Sequence, residues 1–230
     1  MTNDRPFVTL NVAITADGKT DTVARRGATI SSPHDLARVD RLRAESDAVL
    51  VGGRTLLGDD PRLTVKSADL RAERRARGVE ENPIKVGIVS NADLRDDSRF
   101  LTAGPAQVML FTTQRTSPAQ IIRLRERGAQ VFVMGERRVD LVRAFHRLRE
   151  HGVKRLLVEG GGTLNADLLR LRLVDEVYLY IAPLIFGGAD APTLADGVGL
   201  QRQEAIHLQL STVETLGDGG IVVHYVLQKT

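Results

Sequence analysis

The chain has 230 residues, with 32 Lys and Arg against 29 Asp and Glu for a formal net charge of +3, and it contains no cysteine. Hydrophobic residues make up 42% and charged residues 27%, close to the ~45–50% and ~25% of ordinary globular domains, which excludes bulk disorder. The absence of cysteine excludes a disulfide framework, thiolate zinc and iron–sulfur sites and a cysteine nucleophile. No apolar run approaches the ~18 residues of a membrane span; the best, Val177 to Phe186, is broken by Pro183. The polar start, Met1 to Pro6, has no signal-peptide core, so the expectation is a soluble cytoplasmic protein with no membrane partner. The pI is near 9.5. An excess of three charges gives little general attraction to phosphate backbones, and with 4% aromatics and no Trp there is little to stack on bases, so no nucleic-acid partner is expected.

In chain order, alternating or β-branched runs predict strands at Phe7–Ile14, Ala48–Gly52, Ile84–Val89, Val108–Thr112, Val131–Val133, Arg155–Val158, Glu176–Leu184, Leu208–Val213 and Ile221–Leu227. Ser32, Pro33 and Asp35 read as a cap, a first-turn proline and an early acid, opening a helix that runs through Leu42–Arg43. Pro118 to Arg127, stopped at Gly128, and Asp140 to Glu150, stopped near Gly152, are two more helices with apolar faces. The charged segment Lys66 to Glu81 reads as a solvated loop or short surface helix, with a phosphate-binding arm as the sharper alternative. Strands alternating with helices imply an α/β fold with a mainly parallel sheet flanked by helices. The last fifty residues hold β-rich runs with no helix between them, which adds antiparallel strands at an edge. No linker or repeat divides the chain, so residues 1–230 are expected to form one domain.

Three glycine clusters follow predicted strands: Gly52-Gly53, Gly160-Gly161-Gly162 and Gly187-Gly188. A strand that delivers a glycine-rich turn to a helix start exposes backbone N–H groups to which phosphate can bind. Ligands of open α/β sheets sit outside the carboxyl ends of the strands. For any single cluster, simple chain reversal explains the glycines equally well. Carboxylates that could do acid/base work are Asp17 in Asp17-Gly18, the pair Asp59-Asp60 before Pro61, and Glu159. Glu159 ends a short apolar strand, where partial desolvation would favour its protonated form. The histidines at 34, 146, 151, 207 and 224 have no ligand spacing, and no G-x-S-x-G elbow accompanies them, so neither a metal site nor serine hydrolysis is expected.

The ordered set of motifs resembles the pyrimidine reductases of riboflavin biosynthesis. It comprises Val8 to Ala13 with Asp17-Gly18-Lys19, Leu42 to Gly52, Thr55, Asp59 to Val65, Val158 to Asn165, Leu173 to Glu176, Ile181-Ala182-Pro183 and Phe186-Gly187-Gly188. The resemblance runs from about Pro6 to the C-terminus. It implies a dihydrofolate-reductase-like fold, NADPH as hydride donor, a homodimer and a phosphorylated pyrimidine as substrate, whose ribose is reduced to a ribityl chain. Without a zinc deaminase domain or cysteine, the chain resembles the stand-alone reductases of archaea and fungi. Those act on 2,5-diamino-6-(ribosylamino)pyrimidin-4(3H)-one 5′-phosphate. Asn11 stands where fused bacterial enzymes commonly carry Lys, and the archaeal stand-alone members resemble this chain at that position.

By the same resemblance, Ala13, Thr29, Thr55, Asp59 and Ser90 match positions lining the cofactor site, and Gly160, Gly161, Gly162 and Thr163 match the loop around its phosphates. Arg43, Leu63, Lys66 and Glu159 match substrate contacts, with Lys66 replacing a bacterial Arg; Gly27 falls where bacterial members have Ser, and no role is carried over to it. Arg43, Arg62 and Lys66 are candidates for holding the substrate's phosphate. The implied chemistry opens the ribosylamine to an imine and delivers hydride to C1′, with Glu159 or Asp59 as candidates for relaying a proton to the sugar oxygen. Alternatives are the same reduction on the deaminated uracil intermediate, a reductase of the same fold acting on dihydrofolate or another small molecule, or a non-catalytic module binding nucleotides or RNA.

Overall fold

The computed structural model describes residues 4–228. Of the polar N-terminal stretch, Met1 to Asn3 therefore lie outside the described residues. The described residues divide into two compact units, one of residues 4–7 and 40–157 and the other of residues 8–39 and 158–228.

The first unit contains β2 (Ala48–Gly52), α2 (Gly53–Asp59), α3 (Ala68–Ala76), β3 (Ile84–Ile88), α4 (Arg99–Thr102), β4 (Val108–Thr112), α5 (Pro118–Glu126), β5 (Ala129–Val133), α6 (Leu141–Glu150) and most of β6 (Arg155–Val158). Its strands run in the order β5-β4-β3-β2-β6. The pairs β2–β3, β3–β4 and β4–β5 are all parallel. Every residue of β2 and of β4 is buried, the continuous apolar pattern of strands covered on both faces. Val49, Val51, Leu56, Phe100, Leu110 and Leu157 belong to one core cluster. Gly87 lies in that core, where a Cβ would meet Leu110 Cδ2 and Leu56 Cδ2 at 2.8 Å. A methyl group there would force both leucine side chains to shift within a packed core.

The second unit carries β1 (Phe7–Thr15, from Val8 on), the first part of α1 (Pro33–Glu45), α7 (Gly162–Arg170), β7 (Glu176–Ala182), β8 (Leu208–Thr215) and β9 (Ile221–Leu227). Its strand order is β1-β7-β9-β8. The β1–β7 pair is parallel, while β7–β9 and β8–β9 are antiparallel. Among the described residues past β7 the only helical piece is the 3₁₀ turn Arg202–Glu204, so the all-β tail is as expected. The sheet is mainly parallel with antiparallel C-terminal strands, the expected fold class.

The predicted strands match in position, four of them to the residue. The one-turn helix α4 was not anticipated, nor were two helices at the glycine clusters, α2 and α7. Each of these two starts inside or immediately after a glycine cluster, where intrinsic propensity argues against a helix, and each is fixed by its packing through Leu56, or through Leu164 and Leu168. The charged segment Lys66 to Glu81 is in part a correction. It forms α3, and one face of that helix is not solvated at all: Arg74 is 4% exposed. Its guanidinium donates to the carbonyls of Ala44 at 2.9 Å, Ser46 at 2.7 Å and Glu80 at 2.8 Å. Arg77 adds a bond to Ala44 O at 2.6 Å. The two arginines thus satisfy and neutralise the carbonyl end of α1.

Candidate functional site

In the first unit, the predicted substrate residues lie along one stretch that three interactions hold in place. Arg43, half-buried near the end of α1, donates from Nη1 to Thr64 O at 3.1 Å. Asp40, one helical turn earlier and 6% exposed, accepts the amides of Lys66 at 2.7 Å and Ser67 at 2.8 Å. Val65 N donates to Asn82 Oδ1 at 2.9 Å. The backbone between Leu63 and Lys66 is therefore fixed beside Arg43. The side chains of Arg62 and Lys66 are exposed, whereas Leu63 is 1% exposed. Leu63 also has φ 51°, and Asp60 has φ 44°. Left-handed geometry at a buried leucine costs about 1–2 kcal/mol and persists only where the surroundings impose it, as functional sites commonly do.

Thr55 and Asp59 are the third and last residues of α2. Asp59 is exposed, and its carbonyl accepts Arg99 Nη2 at 2.6 Å. Its neighbour Asp60 turns the other way and accepts Ser98 Oγ at 2.6 Å and the amides of Arg99 at 2.8 Å and Phe100 at 3.0 Å. Burial works against the Asp60 charge, but these bonds and the Arg99 guanidinium outweigh it and hold the carboxyl below the ordinary range. Of the two aspartates, then, Asp60 caps α4 and Asp59 is the one presented to solvent. Ser90 lies two residues past the end of β3, with its carbonyl accepting Thr113 Oγ1 at 2.6 Å.

In the second unit, Ala13 pairs with Tyr180 across β1 and β7. It packs in one cluster with Ile30, the residue after Thr29. The loop leading to Thr29 is closed by Asp21, whose carboxylate accepts the amides of Thr22 at 2.7 Å, Gly27 at 2.8 Å and Ala28 at 3.0 Å. Asp17 does more than turn the chain. It accepts Thr15 Oγ1 at 2.6 Å, Gly187 N at 2.8 Å and Phe186 N at 3.2 Å, and the Thr15 hydroxyl first, then the two amides, lower its pKa. One glycine cluster is thus pinned by an acid far away in sequence.

Glu159 is half-buried immediately after β6 and leads into Gly160 and Gly161, both at φ 104°. Gly162 opens α7, where a Cβ would lie 2.6 Å from Asp196 Oδ2 and 2.7 Å from Thr193 O. No side chain caps this helix N-terminus. Bare backbone at the positive end of a nine-residue helix is an arrangement to which a phosphate can approach closely. The residues of this loop therefore fit the phosphate portion of a dinucleotide. Asn165, 1% exposed, anchors the turn by donating from Nδ2 to Leu194 O at 2.8 Å.

Position 11, where this chain departs from the bacterial pattern, has a structural partner. Asn11 Oδ1 accepts Arg38 Nη2 at 2.7 Å, and Arg38 is paired with the buried Asp35 at 2.7 Å. A lysine at 11 would set a second cation against Arg38, so Asn11 and Arg38 belong together. Sequence reasoning missed Arg38, Asp40 and Asp21, since none sits in a motif, and read Asp35 only as the early acid of a helix start. The only available signal was that Asp35 and Arg38 are spaced i, i+3 on a predicted helix. Among the described residues no group of three or more His, Asp or Glu is placed to hold a metal, and no helix is long and apolar enough to cross a membrane.

The RibD C-terminal domain family matches residues 6–222. A 2,5-diamino-6-ribosylamino-4(3H)-pyrimidinone 5′-phosphate reductase of Archaeoglobus fulgidus is 42% identical over 215 residues, 94% of this chain and 95% of that protein. One of the same name from Methanothermobacter thermautotrophicus is 44% identical over 223 residues, 96% and 99% of the two chains. Among solved structures, Acinetobacter baumannii RibD superposes with a TM-score of 0.82 at 24% identity, covering 99% of this chain and 59% of that one. At that identity the likeness is one of fold.

Proposed function

Since the chain belongs to the RibD C-terminal domain family, we propose that it is the oxidoreductase that reduces the ribosyl group of 2,5-diamino-6-(ribosylamino)pyrimidin-4(3H)-one 5′-phosphate to the ribitylamino product in riboflavin biosynthesis. The observation that carries this reading is the 42% and 44% identity, over nearly the full length of both partners, to two archaeal proteins of that name. The family match spans both compact units, which supports treating residues 1–230 as one reductase domain. A biosynthetic role on a small phosphorylated substrate also fits a cytoplasmic protein.

The cofactor in this reading is NADPH, which when bound supplies the hydride for C1′. Gly160, Gly161, Gly162 and Thr163 hold its phosphates, and Ala13, Thr29, Thr55, Asp59 and Ser90 line its site. Arg43, Arg62 and Lys66 bind the substrate's phosphate, with Asp40 fixing the backbone at Lys66. Leu63, buried in the core and locked in its left-handed turn, sets the path of the loop that presents Arg62 and Lys66 to the substrate. Glu159 or Asp59 relays a proton to the opening sugar oxygen. Positioning of the reacting atoms and exclusion of water account for the remaining rate enhancement.

A homodimer completes the proposal. All eight residues of β8 are exposed at the end of its strand run, including Leu208, Leu210 and Val213. An apolar open edge of this kind supports pairing with a second copy.

The test is NADPH oxidation by the purified protein, followed at the nicotinamide absorbance, with the diaminopyrimidine and the deaminated uracil form offered in parallel. Preference for the diamino compound is expected, and preference for the uracil form would overturn the substrate assignment. Glu159→Gln is expected to lower kcat more than it raises KM. If Glu159→Gln and Asp59→Asn both keep near-normal turnover, neither carries the proton.

A further inference from the structure

The first unit has a basic groove that none of the residues assigned above enters. Residues 123–155 contain ten Lys and Arg against four Asp and Glu, an excess larger than that of the whole chain. Part of that charge converges on a groove of about 620 Å³, lined among others by Arg125, Phe132, Val133, Arg143, His146 and Arg147. Small-molecule sites span roughly 300–1,000 Å³.

Two elements build the groove. On α6, Leu141, Ala144, Phe145 and Leu148 face the core, which turns Arg143, His146, Arg147 and Glu150 together onto the adjoining exposed face. Opposite lies β5, the end strand of its run. Met134 N donates inward to Thr112 O at 2.7 Å, so by parallel-strand alternation Val131 and Val133 direct their backbone groups to the open edge. The Val131 carbonyl is taken by Arg125 Nη2 at 2.9 Å, leaving the amide beside it as a donor. The only carboxylate lining the groove, Glu150, is already held by Arg147 at 2.8 Å. Arg147 also lies over the Phe132 ring, 5.1 Å from its centroid. Among the described residues the guanidinium of Arg143 and the imidazole of His146 make no hydrogen bond or ion pair.

Donors thus outnumber acceptors around a cavity with one apolar wall, and we propose that this groove is a binding site for a small organic phosphomonoester. Arg143 and Arg147 hold the phosphate with charge-assisted bonds, aided by the edge amide of Val133. The organic part lies on Phe132, Val133 and Met134. The site is independent of the reductase reading, because it uses no residue of that machinery.

The test is a titration of the ¹⁵N-labelled full chain with inorganic phosphate and with AMP at constant ionic strength, reading the backbone amide shifts of Val131 and Val133. Expected are saturable shifts with both, with AMP binding at least about tenfold more tightly than phosphate, and a loss of about tenfold or more in the Arg143→Ala/Arg147→Ala double variant. Both side chains are exposed, so that variant should keep its fold and its NADPH oxidation. The double lysine variant, which keeps charge but loses the bidentate fork, is expected to fall between. Four outcomes overturn the proposal: no saturation, AMP no tighter than phosphate, affinity unchanged in the double alanine variant, or ligand-free broadening of the same amides with protein concentration. The first would leave the arginines as protection of an edge strand, and the last would make the edge a contact between two copies.

Discussion

Replacing Lys85 with methionine should change both the stability of the protein and the dependence of that stability on pH. Lys85 lies on β3, 0% exposed. Its Nζ donates to Ala103 O at 2.8 Å and lies 5.8 Å from the centre of the Phe100 ring. Burial lowers its pKa from 10.5 to about 8, against the pull of Asp60. Below pH 8 both the folded and the unfolded states carry the proton, and the folded state bears the whole cost of the buried charge. Between pH 8 and ~10.4 the unfolded chain still holds a proton that the folded chain has released, so unfolding free energy rises with pH. The drop in pKa corresponds to about 3 kcal/mol. Lys85→Met removes that cost but leaves the Ala103 carbonyl without its donor, at about 1–3 kcal/mol. The net expectation at pH 7 is a variant equal to the parent or more stable by up to about 2 kcal/mol. Urea unfolding of both proteins at pH 7, 8, 9 and 10 checks it. The advantage of the variant should shrink steadily above pH 8 and then vanish or reverse. Parallel stability curves across that range would show that Lys85 does not lose its proton in the fold, and the reasoning would fail.

Three further outcomes test the framework of the site. Arg74→Met takes the donor from the buried Ser46 carbonyl and from the part-buried Glu80 carbonyl, while Ala44 O keeps Arg77, and should cost about 1–3 kcal/mol, read as a lower urea midpoint at unchanged slope. Asp40→Ala releases the amides of Lys66 and Ser67, and KM for the phosphorylated substrate should rise about tenfold, ~1.4 kcal/mol, with kcat little changed. An unchanged KM would separate Lys66 from substrate binding. Gly220→Ala would set a methyl group 2.6 Å from the hydroxyl of Tyr180, a ring that is 1% exposed and cannot swing away. Overpacking of about 1–3 kcal/mol should appear as a lower Tm.

Much of the architecture can be read from residue order. The strands Ala48–Gly52, Val108–Thr112, Arg155–Val158 and Ile221–Leu227 appear where local pattern puts them, because a buried strand requires a short unbroken apolar run whatever its neighbours do. Ser117 and Asp140 cap α5 and α6 with their own side chains, a local interaction that needs no tertiary knowledge. The motifs that place Arg43, Asp59, Leu63, Glu159 and the triple glycine are equally linear.

Side chains whose partners are distant in sequence were not legible. Asp59 and Asp60 are adjacent and chemically identical, yet only the arrival of Ser98 and Arg99 makes Asp60 a cap. Arg74 looks like any other charge in a polar segment until α3 brings it against the carbonyl end of α1. Asp17 is a turn residue in the sequence, and the approach of Phe186 and Gly187 turns it into the anchor of a distant loop. Periodicity and capping are short-range and survive in the one-dimensional pattern. The fate of a buried charge is decided by which unpaired N–H or C=O it meets, and that is settled only when the chain has closed on itself.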